Sequence, residues 1–338
     1  MKATVAGIEY HFPEYCLTNQ QLAAEFPEWS VEKIEEKTGI AERWIAAEGE
    51  CSSDLGAAAA RKLFDSGVCS PADVDYILFC TQSPDHFLPT SACVMQQRLG
   101  VPSSAGALDF NLGCSGYVYG LGLAKALVET GQATHVLLVT AETYSKFIHA
   151  KDKSVRTLFG DAGAATLVRG LSGNGDFIGP FVYGTDGGGA RNLMVPAGGM
   201  RQRATPAGEG ATADADGNLR SDANLYMNGP EIFAFTLRVV PEVVRELLAR
   251  AGKDFGDIDL YVFHQANHHM LEHLRKKLKI PAERFFVGMR HCGNTVSCTI
   301  PIALKQAVEK RRIQPGHLVM LVGFGVGYSW GATLIRWV

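Results

Sequence analysis

The chain has 338 residues, 46% hydrophobic and 20% charged, enough to bury a large core as two domains or one large α/β unit, which excludes a disordered or fibrous chain. The formal net charge of −3 supplies no global field for nucleic acid or an anionic membrane, so partners have to be argued from local sites. The eight cysteines show no C-x-x-C and no zinc-ligand spacing, which reads as reduced thiols in a cytoplasmic protein, and no apolar run reaches the roughly 18 residues of a membrane span.

In chain order, MKATVAGIEYHFPEYC lacks the apolar core of a signal peptide. DVDYILFCTQ (73–82) has an acidic start, a buried strand pattern and a polar exit. HFLPTSAC (86–93) is a loop with two large apolar residues, Phe87 and Leu88. LDFNLGCSGYVYGL (108–121) runs from a strand through a glycine-flanked turn at Cys114 into a helix. THVLLVT and GAATLVRG then read as a buried strand and its hairpin partner. Residues 197–225 break the pattern with small and polar residues: a surface loop, either a tolerated insertion or a lid.

The order then repeats. DIDLYVFHQA (257–266) parallels 73–82, GNTVSCTIPIALKQAVEKR (293–311) parallels the helix after Cys114, and HLVMLVGF with GATLIRWV repeats the final strand pair. The chain therefore divides into pseudo-symmetric halves, 1–170 and 171–338, with two central sheets and helices between and outside them. Superposing the halves sets Cys80 opposite His264 and Cys114 opposite Asn294. In open α/β sheets such strand ends are where ligands gather, so Cys114, His264 and Asn294 are expected at the seam between the halves.

Each residue also has a plain structural reading: Cys114 as a small buried hydrophobe, His264 as a satisfied core histidine, Asn294 as a helix cap. Against that, a cysteine at a strand-to-helix turn faces unpaired N–H groups and the positive end of a helix dipole, which is expected to lower its pKa and favour the thiolate. His264, His268 and His273 fall near one face if the helix begins early enough, a spacing that suggests a metal, but with Glu272 as the one acidic companion no metal is expected.

NLGCSGYVYGL, FGDAGAATLV (159–168), FHQAN (263–267), GNTVSCTIPIAL (293–304) and GFGVGYSWGATLIRW (323–337) together resemble the β-ketoacyl-acyl-carrier-protein synthase III family. The resemblance implies a thiolase-like α/β fold in five αβαβα layers and a cytoplasmic homodimer. It also implies a two-stage decarboxylative condensation of an acyl thioester with malonyl-acyl carrier protein. Cys114 would carry the acyl group, and His264 and Asn294 would bind the malonyl thioester oxygen. Val326, in the turn with Gly325, would complete an oxyanion hole with the Cys114 N–H, while Phe324 would disfavour the malonyl carboxylate.

The substrates would be coenzyme A or pantetheine thioesters, with no metal or organic cofactor and no nucleic-acid or membrane partner. Phe87 or Leu88 would gate the acyl chain from across the dimer interface. Lys33 and Lys153 stand where relatives clamp adenine with tryptophan and arginine, with Trp29 and Lys37 nearby. His269, Arg275, Lys276 and Lys277 would meet an acidic carrier protein, His269 standing where arginine is common; a solvated basic face is the plain alternative. A type III polyketide synthase-like enzyme and a noncatalytic acyl-binding partner subunit remain as competing readings. A degradative thiolase is disfavoured because the stretch from 316 onward has no second cysteine.

Overall fold

A computed structural model of the chain describes residues 1–173, 175–203 and 210–338. The first half contributes β1 (Lys2–His11), α1 (Ser52–Asp65), β2 (Tyr76–Cys80), α2 (Ser91–Leu99), β3 (Gly106–Phe110), α3 (Gly116–Glu129), β4 (His135–Glu142) and β5 (Ala162–Leu171). Its five strands form one sheet in the order β1-β5-β4-β2-β3. β2 runs parallel to both β3 and β4, whereas β5 is antiparallel to β1 and β4.

The second half contributes β6 (Ile178–Thr185), α4 (Gly229–Ala251), β7 (Leu260–Phe263), α5 (His268–Lys277), α6 (Thr299–Glu309), β8 (Leu318–Gly325) and β9 (Ser329–Arg336). Its sheet has the order β7-β8-β9-β6, the same sequence of partners as in the first half. The counterpart of β3 is reduced to an isolated bridge between Tyr261 and Phe285. There the chain enters from a 3-10 turn at Ala282–Arg284 and leaves into another at Met289–His291, so no extended run develops.

The inner strands of both sheets are buried on both faces, which is why they read as continuous apolar runs, whereas the edge strands β3 and β6 are only partly buried. The two-residue period sorts their side chains into layers. Leu78, Val136 and Leu138 face α3 and α6, as do Val262, Val319 and Leu321 from the other sheet. Ile77, Phe79, Leu137 and Val139 face α1 and α2, and Tyr261, Phe263, Met320 and Val322 face α4 and α5. The fold is thus the expected thiolase-like arrangement: helices, sheet, helices, sheet, helices. Residues 117, 121, 124 and 128 of α3 are all buried in its middle layer, each large one contributing about 1.5–3 kcal/mol by leaving water.

Part of the 197–225 segment, residues 204–209, lies outside the described residues. The remainder includes a short hairpin, Thr212–Ala213 paired with Leu219–Arg220. It is pinned to the first half by Arg220, whose guanidinium meets Asp152 at 2.9 Å and Asp214 at 2.5 Å. Among the described residues, no helix is long and apolar enough to cross a membrane.

Candidate active site

The nucleophile candidate sits in the five-residue turn between β3 and α3. A Cβ on Gly116 would stand 2.3 Å from the Cys80 sulfur, and one on Gly113 would stand 2.4 Å from Gln82 Oε1. The two glycines are therefore a steric requirement of so tight a turn. Across the seam, a Cβ on Gly325 would come within 2.9 Å of the Cys114 sulfur, so the end of β8 lies directly against the thiol. The backbone N–H groups of Cys114 and Val326 lie near enough to the sulfur to favour its charged form.

Cys114 is buried, and this corrects the expectation of a lowered thiol pKa. Burial, with a smaller push from the Glu142 charge, raises it to about 12 despite the two N–H groups. Loss of water around a thiolate outweighs the favourable backbone dipoles here. Buried there, the sulfur keeps its proton.

His264 emerges directly after β7, anchored by its backbone N–H to the Val322 carbonyl at 2.8 Å. Its Nδ1 lies 2.7 Å from Thr299 Oγ1, at the first residue of α6. Its ring meets Phe324 edge-on, with centroids 5.4 Å apart at 82°. Burial pulls its pKa down to about 3, so the ring is neutral through the physiological range. The helix that follows begins only at His268, which removes His264 from the histidine face that suggested a metal. His269 and His273 instead pack on each other and on Phe233.

Asn294 follows Gly293, whose φ of +71° is in the left-handed region. Its backbone crosses to the first half, donating to Leu158 O at 2.9 Å and accepting from Gly160 N–H at 3.1 Å. Its side-chain Oδ1 accepts the Val296 N–H at 3.0 Å, which leaves Nδ2 as the amide end for a ligand. Val296 itself has φ of +54°, a strained conformation for a β-branched residue that costs about 1–3 kcal/mol.

These elements close on one cavity of about 80 Å³ lined by Cys114, His264, Asn294, Phe324 and Gly325, with Leu158, Phe159, Leu193, Met227 and Ile232 as apolar walls. Beyond it lies an open cleft of about 730 Å³ that shares Met227 and Gly229 with the inner cavity. Trp29, Lys37, Lys153, Arg220, Asp214 and Asp216 line its mouth. The ammonium of Lys37 stands 4.7 Å, and that of Lys33 5.5 Å, from the centre of the Trp29 ring. Lys153 is engaged by Glu28 at 2.6 Å and by the Asp216 carbonyl at 2.9 Å.

The remaining predicted residues lie outside the inner cavity. Phe87 and Leu88, between β2 and α2, are 75% and 84% exposed in the single chain. In the basic cluster, Arg275 grips Glu272 through two bonds of 2.7 and 2.6 Å, and Lys277 donates to the Leu237 carbonyl. Lys276 projects outward, with 70% of its side chain exposed.

The sequence reading missed Glu142, Tyr144 and Thr299. The Glu142 carboxyl, at the end of β4, is fully buried and takes hydrogen bonds from Gln82 N–H, Ser83 Oγ and, across the seam, Ser297 Oγ. Burial lifts its pKa to about 8. Tyr144 packs on Phe159 and donates to Gln82 Oε1 at 2.6 Å. The available signal was an acidic residue at the exit of an otherwise apolar strand, LLVTAE.

Two family models match the chain: 3-oxoacyl-[acyl-carrier-protein] synthase III over residues 108–187, and the C-terminal region of the same family over 248–337. A β-ketoacyl-[acyl-carrier-protein] synthase III from Caldanaerobacter subterraneus is 37% identical, covering 99% of this chain and 98% of the relative. A crystal structure of a 3-oxoacyl-(acyl-carrier-protein) synthase III superposes with a TM-score of 0.98 at 54% identity, covering all of both chains. The 3-oxoacyl-(acyl-carrier protein) synthase of Burkholderia xenovorans LB400 gives 0.90 at 37% identity, over 100% of this chain and 94% of the other.

Proposed function

The chain belongs to the β-ketoacyl-acyl-carrier-protein synthase III family of condensing acyltransferases, and on that premise we propose the residues that carry its two half-reactions. In the first, the Cys114 sulfur attacks the carbonyl carbon of an acyl thioester. The tetrahedral oxyanion is held by the Cys114 and Val326 N–H groups, the bond to the coenzyme A or pantetheine sulfur breaks, and the departing thiol takes the proton that Cys114 gives up. A buried thiol near pKa 12 makes this attack depend on the thioester's arrival.

In the second, the malonyl carboxylate leaves as carbon dioxide and its bonding electrons pass into an enolate. Asn294 Nδ2 and neutral His264 Nε2 hydrogen-bond the enolate oxygen as charge develops there, and Phe324 gives the carboxylate an apolar neighbour it loses on decarboxylation. The enolate carbon attacks the acyl-cysteine carbonyl, the carbon–sulfur bond breaks, and the β-ketoacyl thioester departs as the released Cys114 thiolate takes one proton from solvent. No step calls on a metal or organic cofactor.

One observation carries this reading: a sulfur from the first half, near two backbone N–H groups, shares one cavity with two hydrogen-bonding side chains from the second half. The pantetheine arm enters through the outer cleft, with Lys33, Lys37 and Lys153 near its mouth. Lys276, flanked by His269, Arg275 and Lys277, offers the positive face for an acidic carrier protein. The exposed Phe87 and Leu88 gate the acyl chain of a partner copy in a homodimer. The halves 1–170 and 171–338 supply the nucleophile and the decarboxylation donors respectively, and the free cysteines support a reducing, cytoplasmic setting.

The test incubates the protein with a panel of acyl-coenzyme A and acyl-carrier donors, then adds malonyl-carrier protein. Acylation is read as a mass shift on the peptide holding Cys114, and condensation as a β-ketoacyl product. A protein that no donor acylates overturns the proposal.

A further inference from the structure

Tyr144 is buried, and neither half-reaction described above uses it. It belongs with Cys114 to one buried apolar cluster, together with Val155, Phe159, Leu193 and Leu225. Its ring lies 5.4 Å from that of Phe159, itself a wall of the reaction cavity, and meets Phe147 edge-on with centroids 5.7 Å apart at 83°. The far end of the side chain is tied to the nucleophile's own turn. The phenol donates to Gln82 Oε1 at 2.6 Å, and that oxygen comes so near the turn that a Cβ on Gly113 would stand 2.4 Å from it. Gln82 is fixed in its turn, its Nε2 donating to Asn111 Oδ1 at 3.1 Å and its backbone N–H to Glu142 at 3.0 Å. The Tyr144 ring therefore spans from the cavity wall to the turn that carries the thiol, and is held at both ends.

An acyl group on Cys114 has few directions to take. Its carbonyl oxygen points to the Cys114 and Val326 N–H groups, the pantetheine arm arrives past Met227 and Gly229, and Gly325 of β8 lies against the sulfur. The alkyl tail is left the first-half side, where Tyr144 and Phe159 stand. We propose that Tyr144 is a specificity-determining residue whose ring ends the acyl site, so that the enzyme takes a short acyl group of up to about four carbons. The inference rests on the acylation half-reaction proposed above and names its substrate class. The size follows from the cavity: at roughly 30 Å³ for a water-sized group, its volume of about 80 Å³ holds about three such groups. Each methylene without room costs about 10- to 200-fold in kcat/KM. Tyr144 acts within one chain, unlike Phe87 and Leu88, which reach the acyl site only across a dimer.

The experiment measures acylation of Cys114, as the mass shift of its peptide, with acetyl, butyryl, hexanoyl and octanoyl groups carried on coenzyme A and on carrier protein, each ratio being taken within one donor class. Wild type is expected to prefer butyryl to octanoyl by at least about 100-fold in kcat/KM. Tyr144→Ala, which removes the phenol, should raise the octanoyl-to-acetyl ratio by at least about 10-fold. Tyr144→Leu, which keeps an apolar filler and serves if the alanine variant does not fold, should raise the hexanoyl-to-acetyl ratio by about 10-fold. A purely structural role for Tyr144 would lower every donor alike and leave these ratios where they were, which overturns the inference. Wild type that no donor acylates overturns the reading of the site and the inference with it; wild type acylated by octanoyl as readily as by acetyl donors overturns the inference alone.

Discussion

Replacing Asn294 with alanine separates what this residue does for the fold from what it does for the reaction. The amide has two ends with different tasks: Oδ1 holds the Val296 N–H at 3.0 Å, and Nδ2 faces the cavity. Truncation leaves the Val296 N–H without its acceptor in a strained, buried turn, which should cost about 1–3 kcal/mol of stability. It also removes one of two donors to the developing enolate, a loss expected to lower decarboxylation by on the order of 10²–10³-fold, or about 2.7–4 kcal/mol of transition-state stabilisation. Acylation of Cys114 uses the N–H groups of Cys114 and Val326 instead, and should fall by less than about 10-fold. The assay measures the half-reactions separately: the rate of the mass shift at Cys114 with acyl donor alone, and carbon dioxide release from malonyl-carrier protein. Equal loss in both half-reactions, or decarboxylation within about 10-fold of wild type, refutes the division of labour.

Gly325→Ala should block the thiol, because its Cβ would sit 2.8 Å from Cys114 Cβ and 2.9 Å from the sulfur; acylation is expected to fall by about 100-fold and stability by about 1–3 kcal/mol as the buried seam gives way, and a normal acylation rate contradicts this packing. His264 has its folded pKa pulled to about 3 from 6.5, so as pH drops below 6.5 the unfolded chain takes up a proton that the folded one refuses, and stability falls. By pH 5 that loss is about 2 kcal/mol, which urea unfolding at pH 7 and pH 5 should show as a change in the stability of wild type relative to His264→Gln. Glu142 has the opposite sign: its folded pKa is raised to about 8, so the wild type should lose stability relative to Glu142→Gln as pH rises from 4.5 through 8. Thermal scans of the pair across that interval check the direction, and parallel curves would mean that the carboxyl is not held protonated.

The five-layer order was legible because the inner strands of both sheets are buried on both faces and flanked by acidic or glycine-containing turns. DYILFC and DLYVF carry that pattern twice with little change, and the helices after Cys114 and Asn294 repeat it in the middle layer. What could not be read depends on contacts between distant segments. Thr299 is one of several hydroxyl residues in NTVSCT, and only the approach of β7 selects it as the partner of His264. Glu142 looked like the polar end of a strand until the fold buried it against Ser297 from the other half. The thiol pKa was misjudged for a related reason. A turn and a helix start are visible in NLGCSG, whereas the closure of β8 over the sulfur, which excludes water, comes from residues more than 200 positions away.

The duplicated fold also explains why matched positions can carry unlike chemistry. Cys114 stands two residues before α3, so its sulfur receives N–H groups from its own turn and from Val326 opposite, an arrangement suited to a tetrahedral oxyanion. Asn294 stands five residues before α6, separated from it by the 3-10 turn Val296–Cys298. Those extra residues give room for Val296 to turn back, fix Oδ1, and leave an N–H donor rather than a nucleophile at the seam. The same insertion sets Thr299 as the first residue of α6, beside His264 Nδ1. One short turn in the second half thus orients both groups assigned to decarboxylation. Changes that reshape residues 295–298 should therefore impair decarboxylation while sparing acyl transfer to Cys114, whose own turn is built from β3, α3 and the end of β8.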